Sequence, residues 1–251
     1  MSVRSLLENN RRALRGIVFG FLAIAVAVIS GCASSSAPAG QADFVLVYLK
    51  TGPSNGGAST EERKATFDGH MANMRRMADE GKLIVAGPFA KPRDAEWRGI
   101  FVMDTPKVET AKEWSESDPG VRAGVFVLEF RPMRASAGLR KTIEFEKELR
   151  AEMAKKPAAQ TSGMPPNVRG YVMATAGDAG KVWEGIAAAG LGAKVVWCGR
   201  FTDAAGGGVF VLDAKDVKDV SGALASAGVG LDGWWSTKSL ERLPAEVRTL
   251  P

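Results

Sequence analysis

Two stretches of the chain align on each other without a gap: GIFVMDTPKVETAKEWSESDPGV (99–121) and GVFVLDAKDVKDVSGALASAGVG (208–230). Upstream of them, AGPF (86–89) lies over CGRF (198–201), in the same order. IFVMD against VFVLD alone is what two ordinary buried strands would give. Two matches in matching order argue for one unit used twice. Whatever the first half folds into, the second must therefore fold into at about the same size.

The pattern within each half names that unit. Asp43 to Leu49 (DFVLVYL) reads as a strand, and Thr51 to Ala58 as a Gly-rich loop. Ser59-Thr60-Glu61-Glu62 fits a capping box that opens a helix running to about Glu80, with Phe67, Met71, Met74 and Ala78 as its apolar stripe and Gly81 as its stop. Leu83 to Ala86 is a short strand turned by Gly87-Pro88, and Gly99 to Asp104 is a third strand. Pro106 opens a second helix near Thr105, Asp118-Pro119 ends it, and Val125 to Arg131 is a fourth strand.

Strand, helix, strand, strand, helix, strand is the order of the ferredoxin-like split βαβ unit. In the second half, Gly170 to Ala174 is a strand, the helix through Ala189 carries Val182, Trp183 and Ile186, and Lys194 to Cys198 is the next strand. The expected fold is therefore α+β: two ferredoxin-like βαββαβ domains (43–133 and 169–251) of the dimeric α/β-barrel type, packed as an intramolecular pseudo-dimer. Between them, residues 134–168 form a helical linker, in which Ile143, Phe145, Leu149 and Met153 give Leu139 to Lys155 a narrow apolar side.

The N-terminus reads as an address. Arg4, Arg11, Arg12 and Arg15 precede the uncharged run Ile17 to Ile29, whose 13 residues fall short of a membrane span and suit a signal peptide. Ile29-Ser30-Gly31-Cys32 resembles a bacterial lipobox, which implies removal of residues 1–31 and lipidation of Cys32. The expected protein is thus a lipid-anchored lipoprotein of the cell envelope. Ala33, rather than Asp, after the cysteine points to the periplasmic face of the outer membrane. The alternative is an uncleaved anchor with an ordinary cysteine. Residues 32–42 read as a flexible tether. Removing residues 1–31 takes away four Arg and one Glu, so the net charge falls from +5 to +2, and no nucleic-acid footprint remains. Cys198, the other cysteine, sits in the apolar run KVVWC and reads as buried. One histidine and no cysteine pair make neither a metal site nor an organic cofactor an expectation.

YLKTGP, HMANMRRMADEGKLIVAGPF, RGIFVMD and ESDPGVRAGVFVLEFRP together resemble the YCII-related (YciI-like) family over Phe44 to Pro132. The resemblance implies small α+β domains that pair as homodimers, here replaced by the second half, so that a monomer is expected. It also implies a cleft whose catalytic pair falls on His70 and Asp118, with Gly87 and Pro88, at the tight turn after the second strand, as candidates for binding the substrate. Arg122, near Asp118, is the candidate for binding an anionic substrate, or else simply faces water. An imidazole oriented by a carboxylate can move a proton on a small molecule, as in an isomerase or lyase. The bland reading makes His70 a satisfied histidine beside a packed stripe and Asp118 a turn residue. In the repeat alignment, Asp118 falls opposite Ala227 and His70 opposite Val182, so the second half lacks both groups. A noncatalytic ligand-binding or protein-interaction module is the alternative. A purely structural duplication would instead close the cleft with Tyr48, Phe89 and Met74.

Overall fold

The computed structural model describes residues 37–54, 59–91, 93–155 and 165–251. The expected signal segment, Cys32, residues 33–36 of the expected tether and parts of the Gly-rich loop and linker lie outside them. The described strands are β1 (Gln41–Thr51), β2 (Leu83–Pro88), β3 (Trp97–Met103), β4 (Phe126–Ser136), β5 (Val168–Ala176), β6 (Val195–Phe201), β7 (Gly208–Leu212) and β8 (Gly230–Thr237). The helices are α1 (Thr60–Asp79), α2 (Val108–Ser115), α3 (Pro119–Arg122), α4 (Lys141–Ala154), α5 (Ala179–Ala188) and α6 (Lys218–Leu224).

All eight strands form one antiparallel sheet in the order β2-β3-β1-β4-β6-β7-β5-β8. The two halves thus order their strands identically. They also share an irregularity: the register slips between Leu83 and Val85 opposite β3, and between Val195 and Trp197 opposite β7. An extra residue at the same point in both halves bends each strand. The halves meet twice. At one joint, β4 pairs with β6 through Met133↔Phe201, Arg134↔Arg200 and Ala135↔Gly199. At the other, the ends of the sheet come together. Phe89 bridges Trp234, the Ala90 N–H donates to the Gly233 carbonyl (2.7 Å), the Trp234 indole N–H to the Gly87 carbonyl (3.0 Å), and the Ser236 hydroxyl to the Ala86 carbonyl (2.9 Å). The sheet is a closed barrel, so neither end is left as an open edge.

Closure explains why FVLVYL (44–49) is apolar throughout rather than alternating. Phe44, Leu46 and Tyr48 point into the barrel, where they join Met133, Tyr171 and Trp234 from both halves. Val45, Val47 and Leu49 face outward beneath α1 and α2, with Met77, Phe101 and Met103. A strand buried on both faces has no polar side to show. The second half repeats the arrangement, with Val182 and Ile186 of α5 packed over Val172 and Phe210.

Several expectations shift. Helix α1 does begin with the Ser59/Glu62 capping box: the Glu62 N–H donates to the Ser59 hydroxyl (3.2 Å) and the Ser59 N–H to the Glu62 carboxylate (2.8 Å). Gly81, at φ +74°, follows its end. Its buried face, however, is not the apolar stripe. Phe67 is 60% exposed and Met71 41%, while Asn73 and Met77 are buried. Asp118-Pro119 does more than end a helix, because Asp118 caps the short helix α3 with Pro119 in its first turn. Tyr48 and Phe89 pack inside the barrel and Met74 outside it, so they do not close one common cleft.

Gly87-Pro88 is likewise not a turn beside a cleft but the end of β2 at the barrel seam. A Cβ on Gly87 would lie 1.9 Å from the Trp235 carbonyl oxygen. Gly87→Ala is therefore expected to open the β2–β8 joint, costing about 3 kcal/mol as severe overpacking does. Thermal denaturation of the two proteins under identical conditions measures it, and an unchanged midpoint would refute this account of closure.

Candidate active site

His70 and Asp118 are 48 residues apart in sequence and meet in space. The imidazole Nδ1 lies 2.8 Å from Asp118 Oδ2. Helix α1 carries His70 on its inner face. Two glycines let the other side come close. A Cβ on Gly69 would touch the Pro119 ring at 3.0 Å, and one on Gly120 would strike the Phe126 ring at 2.6 Å. Glycine at both positions lets α3 nest between α1 and β4, which brings the Asp118 carboxylate onto the helix face.

The carboxylate is fully buried while the imidazole is 12% exposed. A buried carboxylate is costly unless its lone pairs are filled, and here they are. Oδ1 accepts from the Gly120 N–H at 2.8 Å, and Oδ2 accepts from His70 and from the Asn73 amide at 3.3 Å. Burial pushes the Asp118 carboxyl up. Hydrogen bonds and charge from His70, with the Gly120 and Asn73 bonds, outweigh it and hold the group below its ordinary range. An ionised carboxylate only accepts, so the hydrogen between the two residues belongs to Nδ1. In the neutral ring, Nε2 is then the free base. The ring's other neighbours are phenyl groups: Phe126 at 5.3 Å between centroids, Phe101 stacked at 6.0 Å, and Phe67 at 6.4 Å.

The remaining candidates are not gathered here. Gly87 is committed to the seam and Pro88 is exposed at the end of β2. Arg122 is exposed at the end of α3, and its side chain makes no hydrogen bond or ion pair to the dyad. Among the described residues, no group of three or more His, Cys, Asp or Glu side chains is placed to hold a metal ion. Cys198 is buried, which pushes its thiol up to about 12. Asn73, Ser117 and the two glycines are site residues that the sequence reading missed. Asn73 was within reach of it, three residues from His70 and so on the same helix face.

The second half has no such pair. Gly190, at φ +67°, ends α5 as Gly81 ends α1. Counting back equally from the two glycines sets His70 opposite Ala179 and Asn73 opposite Val182, one turn from the position that the AGPF/CGRF register gave. The 3-10 turn Gly192–Lys194 between Gly190 and β6 accounts for the difference. Ala179 and Val182 are buried and apolar, and a Cβ on Gly185 of the same helix would sit 3.0 Å from the Ala227 methyl.

Residues 44–134 match the model of the YCII-related domain. Protein YciI of Escherichia coli is 34% identical over 74 residues, which cover 27% of this chain and 76% of that protein. The chain belongs to the YCII-related family. An uncharacterized Haemophilus influenzae protein is 32% identical over 72 residues, covering 26% of this chain and 74% of its own. Among solved structures, the 5-chloro-2-hydroxyhydroquinone dehydrochlorinase TftG of Burkholderia phenoliruptrix is similar at 22% identity over 34% of this chain and 90% of its own, with a TM-score of 0.26. A variant chlorite dismutase of Candidatus Nitrospira defluvii is 13% identical over 82% and 96%, with a TM-score of 0.48. The YCII-related match thus spans the half that holds His70 and Asp118.

Because the Asp118 carboxyl is held low, it contributes stability that is fully present above the ordinary carboxylate range and is lost as pH falls through its folded value. Denaturant unfolding of wild type and Asp118→Asn is expected to differ by about 2 kcal/mol at pH 7. Below about pH 4, as the carboxyl itself takes up a proton, that gap should shrink. A gap that kept growing below about pH 4 would contradict the low-lying carboxyl.

Proposed function

We propose that the protein is an envelope-anchored YCII-related enzyme that moves a proton on a small organic molecule, with His70 as base and Asp118 as its orienting partner. The observation that carries the reading is the 2.8 Å His70–Asp118 bond to a saturated, buried carboxylate, which leaves Nε2 as the free nitrogen of a partly exposed ring. A carboxylate that fixes the tautomer and stabilises the imidazolium is the arrangement general base catalysis needs. Among the described residues, no serine or cysteine shares a hydrogen bond with the imidazole, so proton abstraction, as in an isomerase or lyase, fits better than covalent catalysis.

In this reading the second half is a degenerate copy of a ferredoxin-like unit that stands in for a partner subunit. The identical strand order, the shared bulge and the two joints between halves support it. The chain then works as a monomer with a single site.

The test is proton exchange on a panel of small enolisable carbonyl compounds, followed as deuterium uptake from D2O by NMR. Wild type is expected to speed exchange of at least one compound, and His70→Ala to lose about a hundredfold of that rate or more. Equal exchange by both proteins would remove His70 from the chemistry. The anchor is tested separately: cells expressing the full chain should incorporate labelled palmitate into wild type and not into Cys32→Ala. Equal labelling would overturn the lipoprotein reading.

A further inference from the structure

The carboxylate oxygen that His70 uses is shared. Asp118 Oδ2 accepts from His70 at 2.8 Å and from the Asn73 amide at 3.3 Å. The far end of that amide settles its orientation, because Asn73 Oδ1 accepts from the Arg76 guanidinium at 2.8 Å. Ser117 accepts from the same guanidinium nitrogen at 3.1 Å and gives its single proton to the Trp114 carbonyl at 2.6 Å. With that proton committed, the 3.2 Å approach of its oxygen to Asn73 Oδ1 is a contact without a hydrogen. Arg76 is thus the group that fixes the amide. Its side chain is 47% exposed and pairs with Glu80 at 2.7 Å.

We infer that Arg76 and Asn73 are positioning residues that tune His70 as a base from behind Asp118. A guanidinium relayed through an amide draws electron density from the shared oxygen, so Asp118 stabilises the imidazolium less than an unrelayed carboxylate would. A purely structural role would act the other way, since losing a brace would weaken the His70–Asp118 bond. The geometry favours tuning. The Gly120 N–H at 2.8 Å and the capping position of Asp118 already hold the carboxylate, and the Asn73 bond is the longest it accepts. Among the described residues, the aromatic rings packed on the imidazole are those of Phe101 of β3 and Phe126 of β4, with Phe67 of α1. Asp118 is the charge in contact with the ring, and Arg76 reaches it through Asn73. The inference rests on His70 being the base of the proposed function.

The chain has one histidine, so carbethoxylation by diethyl pyrocarbonate, read at the imidazole absorbance, reports on His70 alone. The rate is measured against pH for the full chain. Arg76→Gln and Asn73→Leu are expected to move the acidic limb to higher pH, lowering the rate within that limb roughly twofold. Asp118→Asn is expected to move it the other way, and Arg76→Lys to restore part of the wild-type profile. Arg76 is on the surface, so its variants test the idea even if Asn73→Leu unfolds. A wild-type profile for Arg76→Gln, or a shift in the same direction as Asp118→Asn, would overturn the tuning role. The readout needs no turnover. Absence of proton exchange on every carbonyl compound, with the profiles shifting as expected, would count against the base reading and not against the tuning.

Discussion

The structure depends on closing one sheet at two unlike joints. Between β4 and β6 the closure is a backbone ladder. Between β2 and β8 a single bridge and one backbone hydrogen bond are supplemented by side chains, the Trp234 indole and the Ser236 hydroxyl reaching carbonyls of β2. A side-chain hydrogen bond to a carbonyl has the same reach as a ladder bond, but it requires the two backbones to approach at a set distance. Gly87 permits that distance. Once the ends meet, every strand has an inside, and side chains must fill it at interior density. Phe44, Met133, Tyr171, Trp197 and Trp234, contributed by both halves, do so.

Filling the barrel moves the candidate chemistry outside it. The dyad lies on the outer face of the first half, where α1 and α3 cover β3 and β4. Polar groups on a buried helix face would normally be a loss, since each unpaired one costs on the order of 1–3 kcal/mol. Here one carboxylate satisfies two of them, His70 and Asn73, and is itself satisfied by the Gly120 N–H. The cluster is consistent only as a set, and the second half carries apolar groups at the places that align with His70, Asn73 and Asp118. Ala179, Val182 and Ala227 pack without any partner requirement.

Much of this was legible in sequence. The order of strands and helices and the capping box of α1 are local or periodic features, and so is the pairing of one imidazole with a carboxylate before proline once the family motifs are read. What was not legible depended on neighbours far away in the chain. The apolar stripe of α1 pointed to Phe67 and Met71, because hydrophobicity alone cannot reveal that Asp118 makes a polar face the buried one. Gly87 looked like a turn because its true constraint, the Trp235 carbonyl, lies across a joint that no local pattern encodes. The offset of one helical turn in matching the two helices came from the 3-10 turn Gly192–Lys194, an insertion visible only once the two helix-ending glycines are placed.

Closure and chemistry therefore use different residues. Gly87, Trp234 and Ser236 hold the barrel and make no contact with the dyad, and Asp118, Asn73 and Arg76 form a network confined to α1 and the segment leading into α3. A network that short is nearly independent of how the barrel is completed. The second half supplies the joints without a polar cluster of this kind, because the joints ask for backbone groups, one indole and one hydroxyl. Conversely, the first half can keep a buried carboxylate with its imidazole partner because the barrel beneath it does not depend on that pair for packing. Phe101 shows the two roles meeting. It packs on the outer core while presenting a ring to His70, so the sheet meets the imidazole through an uncharged surface.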